Sequence, residues 1–345
     1  MRILLVCMIF LFLPSSANGD SSLPPYPPSP VIKSIHWDWS TLSKEFLKSD
    51  LWPVTWADDG HLYTAWGDGP GFGEKRVSMG VARVEGDPPN HKGTNVHTDT
   101  WDCAGCGKGH GILMVDGVLY IWVNMQDLTT KLFWSLDRGV TWQSSEWSFD
   151  NVDFAPATFL QYGKNYEGAR DEYVYFYGGK GGDSREKHAY LVRVPKGKLQ
   201  VKEAYGYFNG TDANGNATWS MSMADRQPVF TNLEAEEAQF GWHVQAVSNP
   251  GIKRYLLTSF HAGPGGLGVF DGPSPWGPWT TVYYANDFAG MGPEGFGLNS
   301  SFPQKWMSSD GLMMWNIVSV WGEGGKQGQN LHDNFNVVKT RIILQ

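Results

Sequence analysis

Charge is sparse in this chain, and positive charge sparser still. Charged residues make up 18% of it, with 27 Lys and Arg against 35 Asp and Glu and a net charge of −8. Phosphate binding needs an excess of Lys and Arg, so the balance argues against nucleic acid and suits a neutral or cationic ligand. Long Ala/Glu/Lys/Leu tracts are missing, which excludes a helical protein of this size. No apolar run approaches the roughly 20 residues that cross a bilayer. The apolar stretch Ile3 to Leu13 follows Arg2 and precedes Ala17-Asn18-Gly19, so residues 1–19 read as a signal peptide cut after Gly19. A secreted protein without a membrane span is expected. Cysteine is scarce too, and only Cys103 and Cys106 survive that cut. An oxidising compartment makes a local Cys103–Cys106 disulfide the default. His97 and His110 flank the pair and leave a zinc site open, although the spacing matches no common finger.

What is abundant is glycine and aromatic surface: Gly 42, Trp 17, Phe 18 and Tyr 14. That mixture fits many short strands and tight turns. The expected layout is a Pro-rich extended lead-in over residues 20–35 and one all-β domain over residues 36–345. Sequons at Asn209, Asn216 and Asn299 are consistent with a eukaryotic secretory route.

The chain repeats itself. A strand, a turn and an aromatic strand occur at Ser49 to Gly69 and again at Ile112 to Asn124, turning at Asp116-Gly117. Further copies are read at Thr158 to Gly178, at His243 to His261, and at Lys305 to Val318 with Asp310-Gly311 as the turn. A further alternating segment follows each. Units of three or four strands that cannot bury their own faces point to a five-bladed β-propeller; an irregular β-sandwich or another blade number stays open. Ser135-Leu136-Asp137-Arg138-Gly139-Val140-Thr141-Trp142 fits the Asp-box turn between outer blade strands. It does not make a sialidase, since no three convergent arginines accompany it. The Gly-rich runs at Gly69 to Gly73 and Gly178 to Gly182 sit between no strand and helix, and read as mobile loops at the mouth rather than phosphate cradles.

The first hairpin is the most informative segment. It returns to its starting edge, so Asp50 and Asp68 should lie together at one end of the sheet. Two carboxylates at one mouth of a β-fold are the minimum equipment for glycosidic hydrolysis, although both also suit ordinary turn aspartates. Inner strands of a propeller start at a shared mouth. Convergence there would add Trp52, Trp66, His110, Asn124, Asp153, His243, His261 and Lys305 as a sugar-binding set of aromatics, amides and imidazoles. No cofactor is expected, and a channel cation such as Ca²⁺ has no ligand spacing to announce it.

Asp50 with Trp66-Gly67-Asp68-Gly69 resembles a family of secreted five-bladed propellers that includes endo-D-arabinanases. Tyr207-Phe208-Asn209-Gly210, Ala217-Thr218-Trp219-Ser220 and Pro275-Trp276-Gly277-Pro278-Trp279 extend the likeness. The resemblance implies catalysis by two first-blade aspartates, which here are Asp50 and Asp68. The family pattern commonly ends Phe-Gly-Asp-Thr, where this chain has Trp66-Gly67-Asp68-Gly69. A monomeric glycoside hydrolase acting on a polysaccharide is therefore expected. The alternatives are a non-catalytic carbohydrate- or protein-binding propeller and a polysaccharide lyase.

Overall fold

The computed structural model describes residues 23–45, 47–96, 103, 105–180, 187–232, 244–261, 266–290, 295–322 and 330–345. The signal-peptide segment, His97, Trp242 and His243 lie outside these residues. The regular structure of the described residues is almost entirely strand, and their helices are single 3-10 turns. None is long and apolar enough to cross a membrane.

The strands form antiparallel up-and-down units in four sheets, and the third and fourth units share one sheet through a parallel pairing of Leu160 with Ala246 and Gln161 with Val247. The first runs Asp50–Trp56, Leu62–Gly69, Val77–Glu85 and Lys92–Asn95. The second runs Cys106–Val115, Val118–Met125 and Thr129–Ser135, with two short outer strands on the last. The third begins Ala155–Gln161, Tyr173–Gly179 and His188–Pro195, and the fourth runs Val244–Asn249, Arg254–His261, Gly266–Gly272 and Thr280–Ala285. The fifth runs Phe296–Ser301, Met313–Trp321 and Phe335–Leu344, and the N-terminal strand Ile32–Glu45 completes it. The first strands of the units touch one another in cyclic order, the fifth against the first, so the ring closes as a β-propeller. Tying the last unit with a strand from the other end of the chain joins the two termini, a register no local signal announces.

The second unit shows why these strands read as continuous apolar runs. In Val118–Met125, Leu119, Ile121 and Val123 pack with Tyr63, Ala65 and Val81 of the first unit. Tyr120 and Trp122 point the other way, into a cluster with Phe159, Tyr175 and Phe176 of the third. Both faces of a blade are buried, so the period of two appears as aliphatic against aromatic rather than apolar against polar.

The Asp box behaves as read. Asp137 accepts from Thr141 N at 2.8 Å, Thr141 Oγ1 at 2.7 Å and Ser135 Oγ at 2.7 Å. Burial works against the ionised form, but these bonds outweigh it and lower the Asp137 pKa to about 2. Arg138 then reaches the first hairpin turn, donating to Asp58 Oδ1 at 2.9 Å and Oδ2 at 2.8 Å.

Several expectations are corrected. The fifth unit's inner strand is Phe296–Ser301, upstream of the segment read for it, and Gln304–Trp306 is a 3-10 turn. Pro303 has no N–H for a ladder, so the chain leaves the sheet there and re-enters after Gly311. The Pro-rich lead-in does not simply project: Tyr26 packs on Phe230 and Phe270, Pro28 bridges to Thr281, and the first strand already starts at Ile32. Gly69 to Gly73 is pinned, with Gly71 N donating to Ser49 Oγ at 2.9 Å and Phe72 N to Asn95 Oδ1 at 2.8 Å. Asn299 is 1% exposed, and its amide donates to Trp52 O and Ile317 O, so a glycan has no room there. Asn216 lies on an exposed turn, and Asn209 is half-buried on the strand leading to it.

Candidate functional site

The first hairpin opens on a bulge. Register slips between Leu51 and Val54, where Pro53 cannot donate to the ladder. Leu51 and Trp52 take φ values of 74° and 69°, and Lys48, Asp68 and Asp333 also have positive φ. Such backbone costs about 1–3 kcal/mol per residue and collects where function demands it. The bulge drives Trp52 down into the core, where its Nε1 donates to Ser49 O at 2.8 Å, and leaves Asp50 at the rim opposite Gly67.

Lys108, from the second unit's inner strand, reaches between the two aspartates. Its Nζ lies 3.2 Å from Asp50 Oδ2 and 2.5 Å from Asp68 Oδ2. Asp50 keeps 17% of its side chain exposed and Asp68 keeps 55%. Burial is the main cause of a raised Asp50 pKa. The Lys108 charge and hydrogen bond oppose the rise, and the Asp68 and Asp333 charges add to it.

Asp333 is the third carboxylate of the cluster. Its carbonyl accepts from Ser49 N at 2.7 Å, and its N–H donates to Val320 O at 2.9 Å, which locks the fifth unit to the segment before Asp50. Its Oδ2 is 3.1 Å from His332 Nε2. Burial raises its pKa too, against the nearby His332, Lys108 and Arg76 charges and with that of Asp68. Neither Lys108 nor Asp333 was found by sequence reasoning. Both come from other units, and only ring closure brings them to the hairpin.

Gly67 makes the close approach possible, because a Cβ there would collide with Asp50 Oδ1 and with Lys108 Cδ and Nζ. Its φ is not in the left-handed region, so Gly67→Ala tests the space alone. The expected result is displacement of Asp50 and a fall in any activity of the site of about 10²-fold, as for a misplacement of about 1 Å. Activity assays beside a melting curve check it, and wild-type turnover by the variant would refute the close packing.

Other sequence candidates do not join this cluster. Trp52 and Trp66 are 0% and 2% exposed, stacked on each other at 6.0 Å, and are core rather than sugar platform. His110 is buried. Asn124 is Lys108's register partner, but it is buried and accepts from Thr130 Oγ1 at 2.5 Å. His261 turns along its sheet onto Tyr284, with ring centroids 4.0 Å apart, and burial lowers its pKa to about 4. Asp153 is exposed and lines a separate recess with Thr129, Lys202 and Met221. Lys305 lies at the opposite end of the ring, where Nζ donates to Gly86 O and pairs with Asp87. That misplacement follows from the offset inner strand. Cys103 and Cys106 are bonded with Cα atoms 5.4 Å apart, which removes the thiolates a zinc site would need and anchors the strand that carries Lys108.

Solved structures resemble this chain in path. A GH43_1 enzyme from Xanthomonas citri is 12% identical, with 88% of this chain and 91% of that chain covered and a TM-score of 0.48. The α-L-arabinofuranosidase PaAbf62A from Podospora anserina is 9% identical over 93% and 95% of the two chains, with a TM-score of 0.47. CoXyl43, a GH43 β-xylosidase/α-arabinofuranosidase from a compost metagenome, is 11% identical over 90% and 98%, with a TM-score of 0.49. No curated protein matches. One family profile, Domain of unknown function (DUF4185), matches residues 117–321, a span that starts after Asp50, Asp68 and Lys108. Since that span is more than half of the chain, the protein belongs to the DUF4185 family.

Proposed function

We propose that this protein is a five-bladed, carbohydrate-active propeller that hydrolyses glycosidic bonds at the Asp50–Asp68–Lys108 cluster. One observation carries the reading: a half-buried carboxylate whose pKa is raised by burial stands beside an exposed one, across a single ammonium, on strained backbone at the end of one hairpin. Splitting two carboxylates by environment is how one site supplies both an acid and a base or nucleophile. Asp50 is assigned as the acid that protonates the leaving oxygen while the bond to the anomeric carbon breaks. Asp68, ion-paired to Lys108 and open to solvent, is assigned to the other face of the reaction, at the anomeric carbon or its attacking water. The apolar N-terminal segment and the disulfide support a secreted setting.

The test is release of new reducing ends from arabinans, galactans and uronate-containing polysaccharides. An acid of raised pKa also predicts a pH dependence with a definite sign. Activity needs protonated Asp50, so kcat/KM should fall as pH rises through a value above the usual carboxylate range. Lys108→Met removes the two influences that hold this pKa down, so the residual activity of that variant should lose its alkaline limb at higher pH. A limb that stays in place or moves to lower pH would contradict the assignment.

The second reading is a binding propeller without turnover. Lys108 favours it, because its ammonium is in contact with both carboxylates and its charge opposes the protonation of Asp50 that an acid role needs. Retention of a polysaccharide without new reducing ends would select it.

A further inference from the structure

We propose that Phe296 and Trp321 form a stacking subsite for one sugar ring of the chain that occupies the carboxylate cluster. The inference rests on the carbohydrate reading above. The two residues are register partners at the mouth end of the fifth unit. Their rings stack at 5.1 Å and 21°, yet they are 43% and 44% exposed. Among the described residues they are the only phenylalanine and the only tryptophan left open to that degree.

Strand parity says where they face. In Met313–Trp321, Val318 and Val320 pack toward the fourth unit with Phe260 and Leu267. Trp315 and Ile317 pack the other way, with Trp52, Val54 and Trp66 of the first unit. Trp321 shares the parity of Ile317, so it extends the face that looks at the Asp50–Asp68 hairpin. His332 links the pair to the cluster, with its ring 5.8 Å from Trp321 and its Nε2 3.1 Å from Asp333 Oδ2. An open aromatic surface continuous with a carboxylate, an imidazole and an ammonium matches a pyranose or furanose unit, which offers an apolar C–H face and a hydroxyl edge.

The test uses the full chain and the variants Trp321→Ala and Trp321→Phe, each also placed in Asp68→Asn. Affinity electrophoresis through gels containing arabinan, galactan or polygalacturonate reads binding, and reducing ends read turnover. Trp321→Ala should weaken binding and raise KM about tenfold, with kcat changed less than twofold, and Trp321→Phe should keep most of the affinity. Thermal melting should match wild type, as befits an exposed ring. Unchanged retardation of Trp321→Ala overturns the subsite while leaving a hydrolase intact. Retardation that depends on Trp321 without any cleavage supports the subsite and removes the hydrolase instead. No retardation of wild type in any gel, or a wild-type dimer that Trp321→Ala turns into a monomer, overturns the assignment to a sugar.

Discussion

Asp68→Asn is expected to end the release of reducing ends while the protein stays folded and still binds its polysaccharide. The side chain is 55% exposed, so the change removes no core contact. The amide keeps the shape and an acceptor for Lys108, but it can neither attack an anomeric carbon nor take a proton from water. Acid–base contributions of this kind are worth on the order of 10²–10⁴ in rate. Asp50→Asn should cost at least as much, because it removes the proton donor and leaves Lys108 to Asp68 alone. The measurement is turnover of wild type and both variants on the same polysaccharide panel, with binding followed in parallel. Turnover within tenfold of wild type in Asp68→Asn would sink the hydrolase assignment. Binding by all three with cleavage by none would make the mouth a recognition site.

Trp52→Ala should cost about 3–5 kcal/mol of stability, the range for truncating a large buried aromatic. Trp52 is wholly buried and lies against Trp66, Phe72 and Phe335, at 6.0, 5.2 and 5.2 Å between ring centroids. Its indole N–H also satisfies Ser49 O, on the segment that holds Asp50. Trp52→Phe keeps the aromatic packing and loses that hydrogen bond, so it should cost less than half as much. Urea unfolding of the three proteins checks this. A sugar platform would behave oppositely, with stability unchanged and only KM affected, and that result would return Trp52 to the binding set. Because the indole seats the bulge beneath Asp50, the alanine variant should also lose activity at temperatures where it remains folded.

The contrast between Trp52 and Trp321 shows where sequence reading reaches its limit. Both are tryptophans at the mouth end of a strand, and residue type and strand position do not separate them. Trp52 precedes a proline at a bulge that turns it inward, whereas Trp321 follows the regular alternation of its strand out past the packed layer. The Asp50–Asp68 proximity was legible because a hairpin with an Asp58-Asp59-Gly60 turn is a local object whose ends must meet. Lys305 was misplaced for a related reason. Asp310-Gly311 looks like a hairpin turn, but Pro303 had already taken the chain out of the sheet.

By itself, the sequence determined the all-β class, most of the repeated hairpins, the Asp box and the pairing of Asp50 with Asp68. Each depends on contacts within a few residues, which strand period and turn chemistry specify. Tertiary structure alone decided that Ile32–Glu45 completes the fifth unit, and that Lys108 and Asp333 join the first hairpin. It also decided that Trp52, Trp66 and His110 are interior. These depend on contacts across scores to hundreds of residues, and closing the ring is what brings such partners into reach.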